Sequence, residues 1–131
     1  MDKRYLAKII AADNEGLQMI SACCSNAKVK ISEIKFLESN KIFMFLLERL
    51  KVESGQSYKK VNSVCKFDFV DSVKSKNIDQ KNKDLVLEII AIDYLKIKEK
   101  YEINIIFNKN AHISLTTETI EVRLEDQNEI K

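Results

Sequence analysis

Proline is absent from this 131-residue chain, and glycine occurs only at Gly16 and Gly55. Average usage would give about nine glycines and six or seven prolines. Loops that cradle phosphate need several glycines, because only a missing Cβ lets the backbone curl around an anion. Two distant glycines therefore exclude a G-x-G-x-x-G dinucleotide loop, a G-x-x-x-x-G-K-[ST] loop and a G-x-S-x-G nucleophile elbow. Tryptophan is also absent, and histidine is represented by His112 alone. Ser-His-Asp chemistry could run only through that residue, and a two-histidine metal site cannot form within one chain.

Cysteine is sparse too. Cys23, Cys24 and Cys65 make no C-x-x-C pair, and an odd count speaks against a disulfide framework. On a helix, Cys23 and Cys24 would point about 100° apart, which suits packing better than shared ligation. Free thiols and the lack of a leader-like opening give a cytoplasmic expectation. No run approaches the roughly 18 apolar residues that cross a bilayer, so no membrane role is expected. Arginine numbers 3 against 19 lysines. Lysine, isoleucine and asparagine, which share A/T-rich codons, together make 46 residues, so the bias reads partly as genomic.

What is present is a core. Leu, Ile, Val and Phe supply 42 residues, well above the roughly 20% below which disorder is expected. A chain of this length forms one domain, 1–131, and can bury about two-thirds of its unfolded surface. The formal net charge of +2 selects no class of partner.

Tyr5 to Ala11 alternates as a short strand. Asp13 or Asn14 then offers an N-cap, and Leu17, Ile20, Cys24 and Ala27 form one helical stripe. The helix is expected from Asn14 to about Ser25, with Asn26 as its left-handed stop. Val29 and Ile31 share one strand phase while Ile34 and Phe36 share the other, which predicts a bulge near Ser32 or Glu33. Glu38 to Lys41 reads as a tight turn through Asn40. Beyond it, Ile42, Met44, Leu46 and Leu50 alternate with Phe43, Phe45 and Leu47, a strand covered on both faces in its first half. Glu53 to Lys60 is the clearest loop. Cys65, Phe67 and Phe69 follow as a half-buried strand.

Ser75 to Asp84 is a polar connection. Leu85 to Ile92 reads as a central strand. Tyr101 to Phe107 and Ala111 to Leu115 form a hairpin through Asn108 to Asn110, where asparagine tolerates positive φ. Residues 117–126 fit both strand and helix, since Ile120, Val122 and Leu124 alternate while Ile113, Thr117, Ile120 and Leu124 make a stripe. The β-branched run favours strand, with a tail frayed after about Asp126. The expectation is an α+β domain: a mostly antiparallel meander of seven or eight strands with one early helix across a face. No repeat or low-complexity linker divides it.

The run from Asp13 (DNEGLQMISA) resembles the opening of an uncharacterised alphaproteobacterial domain-of-unknown-function family. So do Phe67-Asp68 followed by Ser75-Lys76-Asn77-Ile78-Asp79, Leu87 with Ala91-Ile92, and the closing pattern Glu118, Ile120, Glu121, Leu124, Asp126. The resemblance covers about residues 6 to 127 and rests on apolar and acidic positions. Genes of that family often lie beside those for histidinol dehydrogenase and an enzyme of cell-wall precursor synthesis, which implies a housekeeping cytoplasmic setting. It carries over no catalytic residues. This chain has Lys76-Asn77 where the family tends to have Arg-Gly, and so lacks a guanidinium fork and a glycine turn there.

The basic side chains concentrate in the middle: Lys28 to Lys83 carries a net +6, whereas Asn110 to Lys131 carries −3. Lys74 with Lys76, and Lys96 with Lys98 and Lys100, repeat at period two, so each set could share one face. They could contact nucleic-acid phosphates, or simply guard a strand edge from aggregation. The scarcity of arginine, the preferred base reader, favours edge protection. The candidate surface patch is thus Lys74, Lys76, Asn77, Asp79, Lys96, Lys98 and Lys100. Phe43 and Phe45 could stack bases, but their strand looks buried and they read as core.

His112 falls on the outer phase of its hairpin with Ser114 and Thr116, a solvated histidine unless Glu118 or Asp93 lies close enough to make it a base. Asp13, Glu15, Glu118 and Glu121 read as capping and surface carboxylates. The cysteines read as core. No catalytic, cofactor-binding or metal residue is assigned and no cofactor is implied. The favoured function is a non-catalytic binding or accessory module with a protein partner. The alternatives are a nucleic-acid or ribosome-associated protein using the basic middle, and a carboxylate and lysine enzyme without a linear motif.

Overall fold

In a computed structural model, which describes residues 8–52 and 58–130, one helix packs against a curled antiparallel sheet of ten strands. Residues 5–7 of the first expected strand, and residues 53–57 of the loop with Gly55, lie outside the described residues. The order along the chain is β1 (Lys8–Ala11), α1 (Asn14–Cys24), β2 (Lys28–Lys30), β3 (Ile34–Leu37), β4 (Ile42–Val52) and β5 (Tyr58–Phe67). Then come β6 (Val70–Lys76), β7 (Val86–Ile97), β8 (Lys100–Phe107), β9 (His112–Thr117) and β10 (Val122–Ile130).

The helix begins where Asp13, in extended backbone, accepts the Gly16 N–H at 2.8 Å. Glu15 in the first turn complements the positive helix end. Gly16 lets α1 lie against β1, for a Cβ there would sit 3.0 Å from the Cα of Ala11. Asn26 closes the helix at φ 68°, the left-handed geometry expected of a helix stop. Leu17, Ile20 and Cys24 are buried on the face turned to the sheet. The Ser21 hydroxyl accepts the Ile92 N–H at 2.8 Å and ties the helix to β7.

The sheet order is β1-β10-β5-β4-β2-β7-β8-β9-β6, with β3 on β4 off this path. This departs from a simple meander: β10 returns between β1 and β5, and β6 crosses to the far edge beyond β9. Short β2 joins two wings, meeting β4 through Lys28 opposite Glu48 and β7 through three register pairs. Where a bulge was expected, a 3-10 turn over Ile31–Glu33 separates β2 from β3 and resets the side-chain phase. The turn after β3 is also 3-10, over Glu38–Asn40, and Lys41 takes the left-handed φ of 56° rather than Asn40. Phe69 is not a strand position: it sits in the β5–β6 turn at φ 59° and is half exposed.

Residues 117–126 form no helix: Thr117 ends β9, 118–121 make the connection and 122–126 open β10. Its pairing with β5 continues past a bulge between Asp126 and Asn128, through Glu129 opposite Val61 and Ile130 opposite Lys60, so the ladder does not stop at Asp126. Alternation sets the core. Phe43, Phe45 and Phe67 meet with ring centroids 5.9–6.2 Å apart and are buried, which removes them from any base-stacking role. Ile103, Ile105, Phe107, Ile113 and Leu115 complete the other wing. Burying each such side chain is worth about 1.5–3 kcal/mol.

Candidate functional site

The outer face of the second wing is built by register. Residues directly opposite across an antiparallel pair point to the same side. Three rows therefore cross β6, β9, β8 and β7 on the face away from the core. The first runs Ser72, Thr116, Glu102, Leu95; the second Lys74, Ser114, Asn104, Asp93; the third Lys76, His112, Ile106, Ala91. An open cleft of about 870 Å³ lies over this face and its turns. Ile90, the extra residue of a bulge between Ile89 and Ala91, also lines it. Bulges commonly re-aim a side chain in this way.

At the centre two polar groups converge on one oxygen. Asn104 Oδ1 accepts from Ser114 Oγ at 2.9 Å and lies 2.8 Å from His112 Nε2, while Ser114 Oγ is 3.1 Å from that nitrogen. An amide oxygen is only an acceptor, so His112 Nε2 carries the proton. A protonated Nε2 cannot take a proton from Ser114. No hydrogen bond joins His112 to Asp93 or Glu118 among the described residues, and Glu118 instead reaches Lys41 Nζ at 3.4 Å. The His112 nitrogen that faces Ser114 is thus a donor, and no base is positioned on the Ser114 hydroxyl within this cluster.

The predicted patch is divided by the fold. Lys74 and Lys76 do share the outer face with Ser114 and His112. Asn77, at φ 61°, donates its side-chain amide to the Asn110 carbonyl at 2.9 Å and braces two turns together. Asp79 accepts the Lys81 N–H at 3.1 Å and shapes its own loop. The other three lysines share no face, because a two-residue hairpin turn starts at Lys98, at φ 58°. Lys96 lies on the core side of β7, its ammonium 5.9 Å from the centre of the Tyr101 ring. Lys100 binds Asp71 at 2.9 Å.

Asp71 also meets Lys41 at 3.2 Å. The Lys100 hydrogen bond, followed by that of Lys41, holds the Asp71 carboxyl below its ordinary value. Lys41 is raised in turn, first by its hydrogen bond to Asp71. Asp13 is the helix cap.

A second polar cluster is buried in the first wing. Arg49, 6% exposed, donates to Asp126 Oδ1 and Oδ2 at 2.8 and 3.0 Å from one terminal nitrogen, and from Nε at 3.1 Å. Ser63 Oγ gives Asp126 Oδ1 a further bond at 2.6 Å. Cys23 lies close by; burial pushes its thiol up while Arg49 opposes that shift. Burial raises Cys65 well above the ordinary thiol value, and its hydrogen bond with Cys24 adds to this. Cys24 and Cys65 are core, as expected, and Cys23 is half-buried. Among the described residues no three of His, Cys, Asp or Glu gather to hold a metal ion, and no helix is long and apolar enough to cross a membrane.

The family described as Protein of unknown function (DUF2948) matches residues 7–131. The chain belongs to that family. Its match spans every strand and the helix, so the DUF2948 fold is the whole α+β domain described above. No curated protein and no solved structure matches the chain.

Asn104 and Glu102 escaped the sequence reading, although they were visible as the polar phase of β8 between Tyr101, Ile103 and Ile105. The Arg49–Asp126 pair carried no linear signal, since its members are far apart in sequence.

Proposed function

We propose that this DUF2948 protein is a small non-catalytic binding module of the cytoplasm that presents the outer face of β7, β8 and β9 to a protein partner. One observation carries the reading: Ile90 and Leu95, 52% and 58% exposed, stand in the same open cleft as Asp93, Glu102, Asn104 and His112. Exposed aliphatic side chains set among both acceptors and donors suit a protein contact. Phosphate would meet the Asp93 and Glu102 carboxylates there, which offset Lys76 and Lys109 of the same lining and leave no net positive charge, and this supports protein over nucleic acid. The proton on His112 Nε2 supports binding over acyl transfer.

Free thiols support a reducing compartment. The resemblance to an alphaproteobacterial family whose genes often neighbour that for histidinol dehydrogenase supports a housekeeping setting for the partner.

The test places a benzophenone side chain at Leu95 and, as a control, at Met19, which is 54% exposed on α1. One protein should crosslink at Leu95 in cells, not at Met19, and Ile90→Asp should abolish the adduct. Crosslinks to RNA, or the same species at both positions regardless of Ile90, would overturn the proposal.

A further inference from the structure

The sheet does not close into a barrel. Its β3 and β6 edges face each other across a slot of about 310 Å³. That volume is at the lower limit of ordinary small-molecule sites. Ile31, Ile34, Phe36, Val73, Ile78 and Ile113 supply its apolar wall. Backbone hydrogen bonds bridge the chain beyond either end of the two edges, Val70 N–H to the Lys41 carbonyl at 2.8 Å and Ile31 N–H to the Leu85 carbonyl at 2.9 Å.

These bridges stand in the way of an extended peptide, which would have to enter and leave along the strand direction. Mostly aliphatic walls offer nothing to the heteroatoms of a nucleobase. They do fit a flexible hydrocarbon chain.

The polar groups of the slot are Ser75, Gln80 and Lys83, all exposed. Gln80 Nε2 donates to Ser75 Oγ at 2.9 Å, which leaves the Ser75 hydroxyl proton free for an acceptor. Lys83 is the one charged side chain lining the slot, and it has no ion pair among the described residues. Apolar walls with a donor and a single cation at the rim match a molecule that is aliphatic at one end and anionic at the other.

We propose that the slot between β3 and β6 binds a medium-chain aliphatic carboxylate, its chain between the two edges and its head at Lys83 and Ser75. This site is separate from the outer face of β7 to β9 and stands or falls independently of it.

Isothermal titration with hexanoate, octanoate and decanoate, each below its micellar concentration, tests the assignment. One molecule should bind per chain, with affinity rising about four-fold per added methylene until the slot is full. Lys83→Gln should weaken decanoate about three- to five-fold and leave 1-decanol unchanged, because an ion pair at an exposed rim is worth little more. Val73→Trp should fill the slot and remove binding of both. Ile78→Trp, on the loop, does the same should the strand variant fail to fold, which thermal melting reports. Absence of decanoate binding, many weak sites per chain, affinity independent of chain length, or a Lys83→Gln protein that treats acid and alcohol as before would each overturn it.

Discussion

Replacing Asp126 with alanine should be the most damaging single truncation of a polar side chain in the described structure. Three hydrogen bonds from Arg49, at 2.8, 3.0 and 3.1 Å, end on the Asp126 carboxylate. In Asp126→Ala the guanidinium, 6% exposed, keeps only the Ser63 hydroxyl at 3.1 Å among these partners. Stripping the partner from a buried charge costs about 3–5 kcal/mol. Domains of ordinary stability have about 5–15 kcal/mol to lose. With a urea slope of about 2 kcal/mol/M, the midpoint should fall by about 2 M.

Lys51 cannot compensate: it is itself a cation, 3.5 Å from Asp126, and 29% exposed, so it can turn to water. Removing the whole cluster tests the reasoning from the other side. Arg49→Met with Asp126→Leu would leave the fully buried Ser63 hydroxyl without an acceptor, a penalty of about 1–3 kcal/mol, so Ser63→Ala is added. The triple variant should recover to within about 0.5 M of the parent, because apolar replacements of a buried pair are near neutral or stabilising. A single variant that shifts the midpoint by less than about 0.5 M, or a triple variant no better than the single, would show that the charge is not effectively buried.

The Asp71 carboxyl is held below its ordinary value of 3.8, so its stabilising contribution is present above that value and is lost as pH falls through the folded one. A carboxyl NMR titration should give a midpoint below 3.8, moving back toward it in Lys100→Gln; an unchanged midpoint would discount the Lys100 bond. Thr117 is fully buried and its hydroxyl has no hydrogen-bond partner among the described residues. Thr117→Val should therefore raise stability by about 1 kcal/mol in urea melts, and a loss would reveal a bonded hydroxyl. Lys98 holds φ 58° in a two-residue hairpin turn, so Lys98→Gly should be neutral to stabilising by about 1 kcal/mol, whereas the same change in a strand costs stability.

The fold was legible wherever the chain spoke locally. Asp13, the Leu17–Ile20–Cys24 stripe and Asn26 gave the helix to within one residue, because cap, face and stop are all encoded within a few positions. Strands with a clean inward phase were equally plain. What failed was local signal overridden by distant pairing. β6 has only Val70 and Val73 as apolar residues, three apart, and becomes a strand because β9 supplies its hydrogen bonds. Asp126 looked like the start of a solvated tail, yet its partners Arg49 and Ser63 lie on β4 and β5. Left-handed positions fell on Lys41, Phe69, Lys98 and Lys109 as well as on asparagines. In a chain so poor in glycine, a search for Gly or Asn alone misses four of the seven left-handed non-glycine positions among the described residues.

The candidate site was harder to read for a geometric reason. A strand shows which of its residues share a face, but never which residues of the next strand stand beside them. Alternation along β9 puts His112 and Ser114 outward, as the structure has them, and leaves open which carboxylate stands near them. Register then put Asn104 opposite Ser114 and Ile106 opposite His112, with Asp93 one strand further on. That assignment changes the chemistry. A carboxylate beside the imidazole would have made a base of His112, whereas the amide oxygen of Asn104 fixes a proton on the nitrogen nearest Ser114. The same logic divides the lysines: period two kept Lys74 and Lys76 together, but the hairpin turn at Lys98 broke the second set. The slot between β3 and β6 belongs to neither strand's sequence. It exists because the sheet curls far enough to bring the free sides of β3 and β6 together and stops short of pairing them.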